Sequence, residues 1–315
     1  MKPAKESSLN VAGLYCRYLK LQKGCSPNTV DAYMHDLDKL LTYCKQEQID
    51  PMKVELSQLE RFATSLFDIG IGPRSLARIF SGVRSFYRFL VLDGFLETDP
   101  TELLDSPKQG LHLPEVLSTE EVDMMEAAID LSKWEGHRNK AIIEVLFSCG
   151  LRVSELVNLK ISNIYVDEQF VRVIGKGSKE RLVPISKRAL QEIDWWYDCR
   201  RKMHNIKPGE EDYVFLNRRG AHLTRTMILI MVKNYAKAAG IKKTISPHTL
   251  RHSFATALLE GGADLRSIQA MLGHESLGTT EIYTHMDMTM LRRVILEHDP
   301  RNIRYAKLHG KDRDK

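Results

Sequence analysis

Between Thr98 and Glu115 the chain runs TDPTELLDSPKQGLHLPE, with three prolines, one glycine and no hydrophobic period. Proline removes a backbone donor and holds the residue before it extended, so neither a helix nor a sheet strand passes through such a stretch. Whatever lies on either side must therefore pack separately. A chain of 315 residues, 43% of them hydrophobic, is long enough for two cores. Two domains are expected, residues 1–105 and 115–308, joined by 106–114 and followed by a polar tail, 309–315. The longest apolar run, Met227 to Val232, is far short of the roughly 18 residues that a membrane span needs. The opening MKPAKESSLN has no apolar signal region, so no membrane partner is expected. Cys16, Cys25, Cys44, Cys149 and Cys199 are widely spaced without a CxxC, which points away from a disulfide framework or a zinc site and toward the reducing cytoplasm.

The N-terminal domain reads as all helical. Ser26-Pro27 offers an N-cap followed by proline at the first helical position, Ser57 and Glu60 fit a capping box, and Gly72-Pro73 opens a helix reaching Val91. At about 100° per residue, Arg74, Arg78, Ser81, Arg84, Ser85 and Arg88 share an arc of about 120°. Leu76, Ile79, Val83, Phe86, Tyr87 and Leu90 gather opposite. A solvated face is the plain explanation of such a stripe, yet this one holds four arginines and no carboxylate of its own. Guanidinium and hydroxyl groups are the donors that phosphate oxygens accept, so Arg74, Arg78, Arg84 and Arg88 are candidate DNA contacts. Charge supports a polyanionic partner mildly: the formal net charge is +5, and residues 1–110 balance 14 basic against 14 acidic side chains, so the whole surplus lies beyond them.

The second domain starts with a capping box, Ser118 to Glu121, and keeps a helical period to Cys149, where Gly150 breaks it. Phe170 to Ile174 and Arg181 to Ile185 alternate as strands around Gly175-Lys176-Gly177-Ser178, a hairpin with a lysine at its tip. Helical patterns return from Leu190, with a new start at Ser246-Pro247. The expected class is mainly α with a small β-sheet.

Three segments set cationic and titratable groups beside glycine: GLRVSEL from Gly150, HTLRHSFA from His248 and LGHESLGTTEIYTH from Leu272. His248 and Arg251 are i,i+3 on a helix beginning at Pro247, near the positive end of its dipole, which makes an anion site. Gly273 can end a helix and release His274, and Thr279-Thr280 can cap a short helix presenting Tyr283. Breaking a phosphodiester without a metal needs a nucleophile, cationic donors on the non-bridging oxygens and an acid for the departing oxygen. These segments, with Lys176, supply each part.

Arg152, Lys176, His248-x-x-Arg251, His274 and Tyr283, in that order and within GLRVSEL, HTLRHSFAT, LGH and YTH, closely resemble the tyrosine recombinases, in particular the bacterial Xer type. The resemblance spans nearly the whole chain, since the SPNTVDAY start is similar to the family's core-binding domain. It implies a helical SAM-like core-binding domain and a mixed α/β catalytic domain closing as a C-shaped clamp on double-stranded DNA. It implies that Tyr283 attacks the scissile phosphate to give a 3′-phosphotyrosyl link. Arg152, Arg251 and His274 would stabilise the pentacoordinate state, Lys176 would protonate the 5′-oxygen, and His248 would assist proton transfer. Glu155 would support the site. A phenol with pKa near 10 beside guanidinium charge is favoured as phenolate. Because one ester replaces another, neither ATP nor a divalent ion is needed, and no cofactor or metal is expected. The resemblance also implies a homotetramer, or a heterotetramer with a related recombinase, on synapsed inverted-repeat sites, resolving chromosome dimers through a Holliday junction. The compact length leans that way over integration of a mobile element.

Simpler explanations stand beside several of these residues. Arg152 and Glu155 could form an ordinary helix-surface ion pair, and Lys176 could be a turn lysine. His252 invites a metal, but Arg251 beside it repels cations, so a structural role is expected. His285 is open between capping and phosphate contact. Trp195-Trp196 and Phe86-Tyr87 are expected in the core. Leu291, Val294 and Ile295 form an apolar stripe able to dock on a neighbouring protomer or to fold back, and exchange between protomers is expected. A type IB topoisomerase, a silent DNA-binding regulator and a metal-dependent nuclease are the competing functions.

Overall fold

The computed structural model describes residues 7–105, 115–175, 180–273 and 285–309. The chain divides into two compact units, Met1–His112 and Leu113–Lys315. The first contains helices α1 (Ser7–Arg17), α2 (Pro27–Gln46), α3 (Leu56–Asp68) and α4 (Pro73–Leu92), with one π-helical turn after α1. Ser26 Oγ accepts from the Thr29 N–H and Pro27 takes the first helical position of α2, so that helix starts where its side chains demand. Helix α3 starts earlier than Ser57 and Glu60 suggest. Gln58 Oε1 accepts from the Glu55 N–H at 2.9 Å, closing the equivalent capping box two residues sooner.

The apolar face of α4 is buried throughout: Leu76, Ile79, Val83, Phe86, Tyr87 and Leu90 all lie in the core of this unit. Its other face differs from the expected acid-free stripe. Asp36 of α2, completely buried, accepts two bonds from Arg78, at 2.7 and 2.8 Å. Gly82 makes the room, because a Cβ there would stand 2.8 Å from Asp36 Oδ2. Arg84 donates to the Leu104 carbonyl and Ser85 is buried, so Arg74, Arg78, Ser81 and Arg88 are the exposed members of the arc. A single-helix projection shows no acid supplied by a neighbour, which is why the stripe looked purely cationic.

The second unit contains α5 (Thr119–Ala127), α6 (Trp134–Cys149), the short α7 (Val153–Val157) and a sheet of β1 (Ile164–Tyr165), β2 (Phe170–Ile174) and β3 (Glu180–Pro184). The strands are antiparallel in sequence order, with Val171 opposite Val183 and Val173 opposite Arg181. Then come α8 (Lys187–Arg200), α9 (Arg225–Ala238), α10 (Pro247–Glu260), α11 (Leu265–Leu272), α12 (His285–His298) and α13 (Pro300–His309). The stretch from Ser118 to Cys149 is two helices because Asp130 Oδ1 accepts from both the N–H and the hydroxyl of Ser132 and turns the chain between them. Residues Ala141 to Cys149 of α6 are buried without interruption, and α8 and α10 pack on that helix. The tryptophan pair splits: Trp196 is in the core with its Nε1 donating to the Val214 carbonyl at 2.7 Å, whereas Trp195 is exposed beneath the Lys140 ammonium.

Leu291, Val294 and Ile295 of α12 are buried against Phe254, Leu258, Met271 and Leu272 of the same unit. Within the single chain the stripe is core of its own domain, the fold-back arrangement, where α10 and α11 offer a matching apolar surface. Helix α13 is tied down by Arg301, whose side chain is 1% exposed and pairs with Asp123, Glu126 and Glu144 at 2.8 to 2.9 Å. Among the described residues no helix is long and apolar enough to cross a membrane.

Candidate active site

Two glycines set the backbone of the site. Gly150 ends α6 and Gly273 ends α11, both in the left-handed region with φ of 57° and 64°. A side chain is strained at both: a Cβ on Gly150 would meet Phe254 Cδ1 at 2.4 Å, and one on Gly273 would press on Arg181 Cδ at 3.0 Å. The turn after Gly150 puts Arg152 at the N-cap of α7 and Glu155 one turn later. From the opposite side, Ser246 caps α10, so that His248 is exposed in its first turn while Arg251 points inward, 9% exposed.

Glu155 is the centre of this arrangement, with its carboxylate 1% exposed. One oxygen accepts from the Arg152 N–H at 2.7 Å and from Arg181 Nη2 at 2.9 Å; the other accepts from Arg152 Nη1 at 2.9 Å and Arg181 Nη1 at 2.6 Å. Arg251 Nη1 stands 3.9 Å away. The same three arginines also cap the end of α11. Arg181 Nε donates to the Met271 carbonyl, Arg251 Nη2 to Leu272 and Arg152 Nη2 to Gly273. Orphan carbonyls at a helix C-terminus carry partial negative charge and so attract cations. Arg251 Nη1 takes the Gly150 carbonyl at 2.6 Å, so the two left-handed turns are held by the groups they position.

Burial works against ionising Glu155, but hydrogen bonds and charge from Arg181 and the Arg152 donors outweigh it and hold its pKa below the usual carboxylate range. Arg251 is pushed down to about 10, first by burial and then by the neighbouring Arg152 guanidinium, and stays cationic at neutral pH. The result is a cluster with more positive than negative charge, able to bind an anion with two oxygens exposed to donors.

Residues 115–290 match the phage integrase family, and residues 13–94 match the phage integrase N-terminal SAM-like domain. Over 288 residues the chain is 40% identical to tyrosine recombinase XerD of Staphylococcus aureus, covering 91% of this chain and 97% of that one. The chain belongs to the phage integrase family of tyrosine recombinases, and within it to the Xer type. XerD of Staphylococcus haemolyticus is 38% identical over the same length. The fold agrees with solved relatives: XerH bound to a palindromic difH substrate in a post-cleavage complex has a TM-score of 0.68 at 20% identity, over 95% of this chain and 85% of that one. The Tn1549 transposon integrase in complex with circular intermediate DNA also reaches 0.68, at 19% identity, over 94% and 98%.

This is therefore a site-specific recombinase that cuts and rejoins DNA. Of the recombinase's expected site residues, Arg152, Glu155 and Arg251 converge, and His248 lies three residues before Arg251 on the same helix. Lys176, His274 and Tyr283 lie outside the described residues, as does the cap expected at Thr279-Thr280; the side chain of His285 does too. Arg152 and Glu155 do form an ion pair, but the carboxylate is buried and shared, unlike a surface pair. His252 is exposed and takes no part in the core, contrary to the structural role expected of it. Arg181 was missed. Its signal was present: it shares the inward parity of Val183 in β3, and a charged residue on the buried side of a strand requires a buried partner.

Proposed function

We propose that this recombinase resolves chromosome dimers in the cytoplasm, acting as a homotetramer or a heterotetramer on paired inverted-repeat DNA sites. Tyr283 attacks the scissile phosphate and forms a 3′-phosphotyrosyl bond as the 5′-oxygen leaves. Arg152, Arg251 and His274 hold the charge that develops on the non-bridging oxygens, Lys176 protonates the 5′-oxygen, and His248 assists the proton transfers. Attack by a 5′-hydroxyl from the partner duplex reverses the chemistry, and two rounds pass through a Holliday junction. No nucleotide cofactor or metal enters this scheme. The observation that carries it is the convergence of Arg152 and Arg251, from segments about a hundred residues apart, on Glu155 and the end of α11. Arg74, Arg78, Arg84 and Arg88 follow the phosphates of the duplex; exposure of Arg74 and Arg88 supports this, while Arg78 and Arg84 share their donors with Asp36 and Leu104.

A nicked suicide duplex that releases its cleaved end traps the covalent intermediate. The wild-type chain should migrate with DNA on a denaturing gel, and Tyr283→Phe should bind the duplex without forming the adduct. An adduct of normal yield in Tyr283→Phe removes that residue as nucleophile.

A further inference from the structure

We infer that Arg181 is a positioning residue for strand cleavage: it neutralises Glu155 so that Arg152 and Arg251 keep their charge for the scissile phosphate. This deepens the reading above and rests on Arg152 and Arg251 being the phosphate ligands.

Three guanidinium groups and one carboxylate leave two positive charges in the cluster. A phosphodiester carries one negative charge, and attack by a phenolate gives a pentacoordinate state with two, so the surplus matches the transition state rather than the bound substrate. Arg181 is the member placed to take up the carboxylate. It is 8% exposed, meets both Glu155 oxygens through its two terminal nitrogens at 2.6 and 2.9 Å, and spends its Nε on the Met271 carbonyl. Each of its three guanidinium nitrogens donates within the protein. Arg152, 35% exposed at its side chain, gives Glu155 a single guanidinium bond, and Arg251 stands off at 3.9 Å. Without Arg181, an ionised carboxylate sealed from water would recruit one of those two as its partner, because a buried unpaired charge is the costlier state. The guanidinium cluster would then hold one surplus charge where it now holds two, a loss felt most in the doubly charged transition state.

The carboxylate is not superfluous in this scheme. It keeps three like charges together before DNA arrives, and Arg181 sets how much of it the other two feel.

The test compares Arg181→Gln, Arg181→Lys and the double variant Glu155→Gln/Arg181→Gln in the full chain, with single-turnover cleavage of the suicide duplex and DNA affinity both measured. Arg181→Gln should cleave about 100-fold more slowly, the scale of one lost electrostatic donor, with DNA affinity unchanged. Arg181→Lys should recover part of the rate. The double variant, having no carboxylate to neutralise, should cleave at least about tenfold faster than Arg181→Gln. If Arg181→Gln does not fold, the double variant decides alone: cleavage within about tenfold of wild type supports the inference, and lost cleavage overturns it. Wild-type cleavage by Arg181→Gln, equal losses in affinity and rate, or no recovery in the double variant also overturn it. Arg152→Gln and Arg251→Gln run beside them. Wild-type cleavage in both would dismiss the phosphate-ligand assignment and this inference with it, whereas their inactivity together with a fully active Arg181→Gln dismisses the inference alone.

Discussion

Glu155 accepts four hydrogen bonds from Arg152 and Arg181 while buried, and its behaviour with pH follows. Its folded pKa is lowered, so as acid is added the unfolded chain takes up the proton first. The stability it contributes is complete above the ordinary carboxylate value of about 4.3 and is lost as pH falls through the depressed one. Urea unfolding of wild type against Glu155→Gln should show a gap that is constant from neutral pH to about pH 5 and narrows below about pH 4; a gap unchanged into strong acid contradicts the assignment. Much of this site was legible in the chain. Arg152, His248 and Arg251 could be selected from their neighbours because each sits beside a turn glycine or a helix start, and those local signals hold in the fold. Arg181 was not legible by the same route, because its partner is 26 residues earlier and the pairing is purely tertiary.

At the scale of elements, α4 shows both the strength and the limit of reading one helix. All six residues that its period places inward are in the core, since a 3.6-residue repeat needs only local sequence, and Phe80 and Phe89 at the margins of that face are buried with them. The opposite face depends on α2, which contributes Asp36, and no projection of α4 contains that information. The four arginines therefore separate into kinds. Arg78→Ala leaves a buried carboxylate unpaired and should cost about 2 kcal/mol or more of stability, tempered by the half-exposure of the guanidinium. Arg74→Ala and Arg88→Ala should leave the melting temperature unchanged and lower the slope of DNA affinity against salt concentration by about one each. Thermal melts and salt titrations on the three variants distinguish these outcomes; a salt slope unaffected in Arg74→Ala and Arg88→Ala would remove α4 from the DNA interface. The Pro-led helix starts at Pro27, Pro73 and Pro247 were readable for the reason the α4 core was: a proline at the first turn constrains only its own neighbours.

Across the whole molecule, the two units have separate cores, and the proline-rich segment falls where the division occurs. The C-terminal end is the part the chain concealed. Its apolar stripe fits a neighbour or its own domain equally well in sequence, and in the single chain it packs on the surface that Phe254, Leu258 and Met271 provide. Arg301 then closes the end of the chain onto α5 and α6, where Glu126 and Glu144 are themselves buried. Arg301→Met should destabilise the second unit by about 3 kcal/mol or more, as removal of one partner from a buried ion cluster does, with the first unit melting as before. Calorimetry resolves the two transitions, and a second transition that does not move would show the cluster to be dispensable. The proposed strand exchange turns on a phenolic oxygen exchanging for a DNA sugar oxygen at phosphorus. Recovering covalent protein–DNA complexes from cells and sequencing both the peptide and the attached DNA end measures this in one step. Tyr283 bonded to a 3′-phosphate within one pair of inverted repeats is the predicted result. Attachment through a 5′-phosphate, or through any other residue, would contradict it.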